Sequence, residues 1–418
     1  SSNEITIPDL SIFNELLKGS DGREISTTMA FVRLLRLICK DNNIGDKIVP
    51  IIPDEARTFG IDPLFREIGI YSSKGQRYEP VDSEQFLYYK EAKDGQILEE
   101  GITEAGSMSS FIAAGTAHIT NGIKMIPFFI YYSMFGFQRI GDFMWAAGDM
   151  RAKGFLIGGT AGKTTLAGEG LQHQDGHSHL IASTIPNLKA YDPAFSYEIA
   201  VIIHDGLKRM YVDNEDIFYY LTVENENYIH PKMPDNISDG ILKGMYLFKN
   251  SEDSELKVQL LASGSILNEA IEASKLLEKD WNIKSDVWSV TSYSELHKDA
   301  EDINRWNNLN PLKNSKESYL DSCLNEDFPV IAVSDYVKLV SEQISAYVKS
   351  PFISLGTDGF GRSDTRERLR DFFEINRYYI AISAIHSLVE INKIDIEELQ
   401  KAIEKYNINP NKENPLKI

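Results

Sequence analysis

KMIPFFIYYSMFGFQRIGDFMWAAGDMRAKGFLIGG, residues 124–159, runs from an apolar stretch through an amphipathic one into a second apolar stretch. KMIPFFIYY (124–132) is aromatic and β-branched, and predicts a buried strand. The spacing of apolar residues from Phe137 to Lys153 predicts an amphipathic helix, and GFLIGG (154–159) predicts the next strand. Strand, helix and strand at this spacing argue for an α/β fold with a largely parallel sheet.

The same alternation extends in both directions. Upstream, TTMAFVRLLRLIC (27–39) has helical apolar spacing, KIVPII (47–52) reads as a short buried strand, and a small-residue helix from about Thr103 closes at Asn121-Gly122. Downstream, YEIAVIIHDGLKRMY (197–211) reads as a helix and IFYYLTVE (217–224) as a strand. Residues 225–254 are polar with scattered Pro, Gly and Asn, and predict a domain boundary near residue 240. Beyond it come KVQLLASGS (strand), ILNEAIEASKLLEKDW (helix), SDVWSVTS and PVIAVSD (strands), LVSEQISAYV (helix), FISLGT (strand), and terminal helices through KIDIEELQKAIEKY. The expected architecture is two successive α/β domains, residues 1–240 and a smaller one over 241–418.

Bulk properties narrow the function. A chain of 418 residues exceeds the size at which one core usually keeps growing. With 42% hydrophobic and 25% charged residues, the composition is that of a folded protein and not of a disordered one. The formal charge of -19, from 62 acidic and 43 basic side chains, repels nucleic acid and anionic membrane, and no basic patch overrides it. Cys39 and Cys323 are too far apart to read as a metal pair, and fit a reduced, cytoplasmic setting. No run of about twenty apolar residues predicts a membrane span, and the N-terminus lacks a signal-peptide pattern. The chain opens at Ser1 without methionine, the expectation for a processed chain or a piece of a longer one.

GGTAGKTTLAGEGLQHQDGHSH (158–179) follows directly on the second strand and invites two readings that fail. A phosphate loop G-x-x-x-x-G-K-[ST] needs glycine where Ile157 stands, so its backbone can wrap the phosphates. For a metal site, His173 and His177 have helical spacing, but Gln174-Asp175-Gly176 is a turn sequence and no cysteine cluster supports them; no metal is expected. The third reading is a glycine-shaped loop presenting Glu169 and His173 to a substrate, at the end of a parallel strand where α/β sheets bind ligands. Three other segments belong with it. DEARTFG (54–60) puts Asp54 and Glu55 after a strand. GITEAG (101–106) puts Glu104 in the first turn of a helix among small and apolar neighbours, so its carboxyl is expected to be buried. IYYSMFGFQR (130–139) ends a strand in aromatics and an arginine. Each has a plainer alternative: a helix-capping glutamate, a core-facing aromatic edge, and structural or solvated loop histidines.

DEARTFG, GITEAG, YYSMFGFQRIGD and GGTAGKTTLAGEGLQHQDGHSH, in this order and spacing, resemble the homodimeric type of bacterial pyruvate dehydrogenase, the thiamine-diphosphate-dependent first component of its multienzyme complex. The similarity continues through SYEIAVIIHDGLKRMY, ASGSILNEA, SVTSYSEL and LGTDGFGRSD, over essentially the whole chain. The resemblance implies a transketolase-like pyrimidine-binding domain followed by a transketolase C-terminal-like domain. The family's diphosphate-binding domain carries a Gly-Asp-Gly motif for Mg2+, and no Gly-Asp-Gly occurs here, so Mg2+ is expected only with a missing diphosphate-binding portion.

By the same resemblance, Glu104 hydrogen-bonds a nitrogen of the cofactor's aminopyrimidine, Ile102 lies beside that ring, and Phe135 stacks on it. Tyr132, Asp54 and Glu55 line the cofactor and substrate pocket, His173 contacts the pyruvate-derived group, and Glu169 orients that region. The implied partners are a second copy of the chain, the N-terminal diphosphate-binding portion and dihydrolipoyl acetyltransferase. The C-terminal domain is expected to build the dimer, without catalytic residues. Two competing readings are a non-catalytic dimerisation module and a transketolase-like enzyme on sugar phosphates; SMFGFQRIGD with GEGLQHQDGHSH argues against the latter.

Overall fold

A computed structural model describes residues 5–53, 56–79, 89–166, 170–324 and 327–418. By contact the chain separates into two compact units. The first comprises residues 1–161, 181–190 and 195–235; the second comprises 162–180, 191–194 and 236–418.

In the first unit, helix α1 (Thr27–Cys39) precedes strand β1 (Ile48–Ile52); then come β2 (Leu98–Glu99), α2 (Glu104–Thr120), β3 (Ile126–Tyr132), α3 (Phe137–Asp149), β4 (Phe155–Gly159), β5 (Leu188–Tyr191), α4 (Ser196–Tyr211) and β6 (Phe218–Thr222). The six strands form one sheet in the order β2-β1-β3-β4-β6-β5. Pairing is parallel from β2 through β6, with Val49 opposite Pro127, Phe129 opposite Leu156, and Ile157 opposite Leu221. Strand β3 is buried from Ile126 to Tyr131, as expected of a parallel strand covered on both faces. Its Phe128 stacks on Phe155 of β4 at 4.7 Å and meets Phe31 of α1 at 6.1 Å, while Phe155 meets Tyr219 of β6 at 5.4 Å. Core aromatics thus tie three strands and a helix together. Helix α3 ends at Asp149, short of the expected Lys153. Arg151 adopts φ +59°, and the Ala152 amide donates to Ala147 O at 2.9 Å, a left-handed stop that ends the helix.

The second unit is built on a five-stranded sheet. Its elements are β7 (Met245–Lys249), β8 (Lys257–Ala262), α5 (Leu267–Trp281), β9 (Lys284–Val290), α6 (Tyr293–Leu309), β10 (Val330–Val333), β11 (Phe352–Leu355), α7 (Arg366–Phe372), α8 (Arg377–Glu390) and α9 (Ile396–Lys405). The order is β7-β9-β8-β10-β11, with β7 antiparallel to β9 and the other pairs parallel. Three features differ from the sequence reading. Edge strand β7 lies inside the polar stretch taken as a boundary. Helix α6 stands between β9 and β10, where two strands were expected in succession.

The helix expected over 339–348 is only a turn, Leu339–Glu342, followed by a 3-10 turn, Ser345–Tyr347. Its own side chains take up the carbonyls: Ser341 Oγ donates to Lys338 O (3.2 Å), Gln343 Nε2 to Val340 O (2.9 Å) and Ser345 Oγ to Glu342 O (2.8 Å). Such local bonds compete with helix continuation.

Candidate functional site

The parallel strands of the first unit all deliver their C-terminal ends to one edge of the sheet. From β1 the chain winds to β2 on one side; from β3 it winds to β4 on the other. The winding direction therefore reverses between β1 and β3, and in open α/β sheets a ligand crevice opens at such a point, outside the carboxyl ends of the strands. Asp54 and Glu55 follow β1 in sequence but lie outside the described residues. Tyr132 ends β3, with Ser133–Phe135 forming a 3-10 turn beyond it.

Tyr132 and Phe135 are brought together edge to face at 5.7 Å, and Phe59, from the segment after β1, meets Tyr132 at 5.3 Å. The Arg139 guanidinium sits 4.0 Å from the Phe135 ring centre, in cation-π contact. Ser133 Oγ, at the end of β3, and Thr160 Oγ1, just past β4, are buried without a hydrogen-bond partner among the described residues. Buried hydroxyls usually find partners, so this edge offers polar groups for a ligand. Thr160 also holds φ +50°, a conformation unusual for a β-branched residue. Sequence reasoning missed Phe59, Ser133 and Thr160, although each lies in or beside a motif it quoted.

Glu104 is the first residue of α2, and the Thr103 hydroxyl before it accepts the Gly106 amide at 3.1 Å. That cap starts the helix, and the helix N-terminus favours a carboxylate there. Glu104 is half-buried and not buried as expected, because the first turn of α2 stands at the surface beside exposed Gly101–Thr103. Its carboxylate makes no hydrogen bond among the described residues. Gly101 takes φ +80° and accepts the Thr103 amide at 2.6 Å, closing a tight turn with Ile102 at its apex. Ile102 is consequently 82% exposed, a large apolar side chain held out beside a carboxylate. A flat heterocycle with ring nitrogens fits this pair.

From Gly162 onward the GKTT segment and its histidines belong to the second unit. The anion that this glycine-lysine turn binds is a carboxylate of the protein itself. The Thr164 amide donates to both oxygens of buried Asp335, at 3.1 and 3.0 Å, and Lys163 Nζ donates to Thr357 O (2.5 Å) and Gly359 O (2.6 Å). Burial pushes the Asp335 carboxyl up to about 7, against the opposing pull of Arg370 and the Thr164 bonds. Burial also depresses Lys163.

His173, itself half-buried, closes a 3-10 turn whose Leu171 and Gln172 are exposed, its amide donating to Gly170 O at 3.2 Å. Glu169 lies outside the described residues. His179 is a core histidine, packed edge to face on Tyr336 at 4.8 Å and pushed down by burial, so its role is structural. Asp175 caps the next short helix, accepting the His177 and Ser178 amides at 3.0 Å each. Among the described residues no cluster of three or more His, Cys, Asp or Glu side chains is arranged to hold a metal, and no helix is long and apolar enough to cross a membrane.

Relatives of the chain are found among both known sequences and solved structures. Residues 4–231 match the family model of the pyruvate dehydrogenase E1 component middle domain, and residues 244–376 that of the transketolase-like TK C-terminal domain. The pyruvate dehydrogenase E1 component of Pseudomonas aeruginosa is 56% identical over 418 residues, 99% of this chain and 47% of that protein. The Escherichia coli K12 E1 component is 53% identical over 416 residues, again 99% and 47%. Among solved structures, a Campylobacter jejuni transketolase matches with a TM-score of 0.66 at 19% identity, covering 91% of this chain and 49% of that one. A chain described as a split gene transketolase, inactive beta4 tetramer, matches with a TM-score of 0.56 at 16% identity, covering 87% of this chain and 98% of that one. These structural likenesses establish the two-part α/β fold. The chain spans about half the length of the curated relatives it matches. With more than half of its residues matched by the first family model, the chain belongs to the pyruvate dehydrogenase E1 component middle-domain family.

Proposed function

We propose that this chain is the pyrimidine-binding portion (residues 1–240) and the C-terminal portion (residues 241–418) of a cytoplasmic, thiamine-diphosphate-dependent pyruvate dehydrogenase, serving the decarboxylation of pyruvate and the reductive acetylation of a lipoyl group. The observation that carries the reading is the 56% identity to the P. aeruginosa E1 component across 99% of the chain. When bound, the cofactor supplies an electron sink for the carbanion left as carbon dioxide departs. This chain's residues do the rest of the work assigned to it. Glu104 holds a proton at an aminopyrimidine nitrogen, Ile102 and Phe135 present apolar faces to the ring, and Tyr132 with Asp54 and Glu55 lines the pocket. The hydroxyls of Ser133 and Thr160, without a hydrogen-bond partner among the described residues, supply polar partners. His173 donates to the carboxylate or enolate oxygen of the substrate, and Glu169 orients that region. The diphosphate and Mg2+ belong to the complementary N-terminal portion. The working assembly is a homodimer that passes acetyl groups to dihydrolipoyl acetyltransferase.

The test compares the 418-residue chain alone with a chimera joining it to the N-terminal half of the P. aeruginosa relative. With pyruvate, thiamine diphosphate and Mg2+, the chain alone releases no carbon dioxide and the chimera does. Glu104→Ala in the chimera cuts release by at least about 100-fold, the scale of losing a proton-handling group. Turnover by the chain alone would overturn the divided site, and full turnover by Glu104→Ala the role of that carboxylate. A folded but inert chimera would favour the dimerisation-module reading.

A further inference from the structure

The segment carrying His173 is held on both flanks by one stretch of the second unit. Gly162 forms an antiparallel bridge with Asp175, so the segment leaves and re-enters at a single point. On the entering flank, the Thr164 amide is received by both carboxylate oxygens of Asp335, just beyond β10, and Arg370 Nε approaches Thr164 Oγ1 at 3.3 Å. Arg366 Nε donates to Thr165 O at 2.6 Å. On the returning flank, Gln174 pairs reciprocally with the backbone of Arg362: Gln174 Nε2 donates to Arg362 O and Gln174 Oε1 accepts the Arg362 amide, each at 2.8 Å. The Val337 amide donates to Gly176 O at 2.7 Å. Asp335 and Gln174 are both buried, where bonds to backbone amides are strong and their loss costly. Residues 335–370 thus grip the segment at Thr164 and Thr165, eight and nine residues before His173, and at Gln174 and Gly176 just after it.

We propose that Asp335 and Gln174 are positioning residues: through them the C-terminal part of the chain sets the placement of His173 toward substrate. This extends the reading of His173 given above and rests on it. It also gives the C-terminal part a share in the reaction, beyond the dimer-building role expected from sequence. Asp335 fixes the entering flank as the acceptor of the Thr164 amide. Gln174, next in sequence to His173, fixes the returning flank through a pair that needs both a donor and an acceptor on one side chain.

Two measurements test this. First, amide hydrogen exchange on the 418-residue chain compares wild type with Asp335→Ala and Gln174→Glu; glutamate keeps the size of Gln174 but cannot donate to Arg362 O. Peptides covering 162–178 should exchange at least about tenfold faster in either variant, while β3 and β8 keep their protection. Unchanged exchange in 162–178, or equal acceleration throughout, overturns the proposal. Second, in the chimera, Asp335→Ala should lower turnover about tenfold, and Asp335→Asn should restore most of it, because an amide oxygen still accepts the Thr164 N–H. The double variant His173→Ala/Asp335→Ala should be no slower than His173→Ala alone, the signature of one residue acting through the other. Additive losses overturn the proposal. Full activity in His173→Ala overturns the reading of His173 itself, and the catalytic half of the proposal with it, whatever the exchange data say about anchoring.

Discussion

The Thr164 amide sits where a nucleotide-binding loop would present a donor to phosphate, yet it donates to a carboxylate of the same unit. One residue makes that close approach feasible. Gly162 holds φ +82°, and a Cβ built on it would collide with the Asp335 carboxylate. An alanine there meets both a backbone conformation that L side chains avoid and an overpacked contact, each costing about 1–3 kcal/mol. Gly162→Ala should therefore lower stability by roughly 2–4 kcal/mol, seen as a fall in the urea midpoint without a change in slope. A midpoint unchanged within error would mean that the carboxylate moves aside freely, and that the turn is held by other bonds.

At the scale of elements, what was legible in the sequence follows from how each one is buried. Strands β3 and β4 are continuous apolar runs because both faces of a parallel sheet are covered, and a run of that kind is readable without any partner in view. Edge strand β7 was not readable: MYLFK has only its first two residues buried, and polar segments flank it. Helix α6 carried a signal that was passed over. The Ser292 hydroxyl accepts the Glu295 amide at 3.1 Å, the first half of the S-x-x-E start pattern in SYSE. At the candidate site, Glu104 stood out as the carboxylate that opens a helix of small and apolar residues and Tyr132 as the end of an apolar strand, whereas Asp335 is called to its role by Thr164, far away in sequence, and no local pattern encodes that bond. The aromatic stack of β3 is the element whose loss should be felt most. Phe128 is fully buried against Phe155 and Phe31, so Phe128→Ala should destabilise the first unit by about 3–5 kcal/mol, measured by chemical denaturation. A loss below about 1 kcal/mol would show that the sheet closes over the cavity, and that the stack contributes little beyond area.

For the molecule as a whole, acidity acts through groups of opposite sign. Asp335 has a folded pKa raised to about 7, above its ordinary 3.8, so its contribution is present at low pH and lost as pH rises through that window. His230 runs the other way. Its ring is buried, with Nδ1 accepting the Ser196 amide at 2.9 Å, and burial, aided by the nearby Arg33 charge, pushes it down to about 4. Protonating Nδ1 would set a donor against a donor. The unfolded chain binds that proton near the ordinary value of 6.5, so stability from neutral His230 is present above 6.5 and drains away as pH falls toward 4, by about 3 kcal/mol. The net charge of -19 at pH 7 also relaxes on acidification, which masks this loss in any single melt. His230→Asn separates the two, because asparagine Oδ1 can accept the Ser196 amide and does not titrate. Global charge and Asp335 are common to both proteins and cancel in the difference. The stability of wild type relative to His230→Asn should therefore fall by about 3 kcal/mol between pH 7 and pH 4, measured by urea titrations at each pH. A flat difference across that range would mean that the buried ring gains its proton without opposing the Ser196 amide.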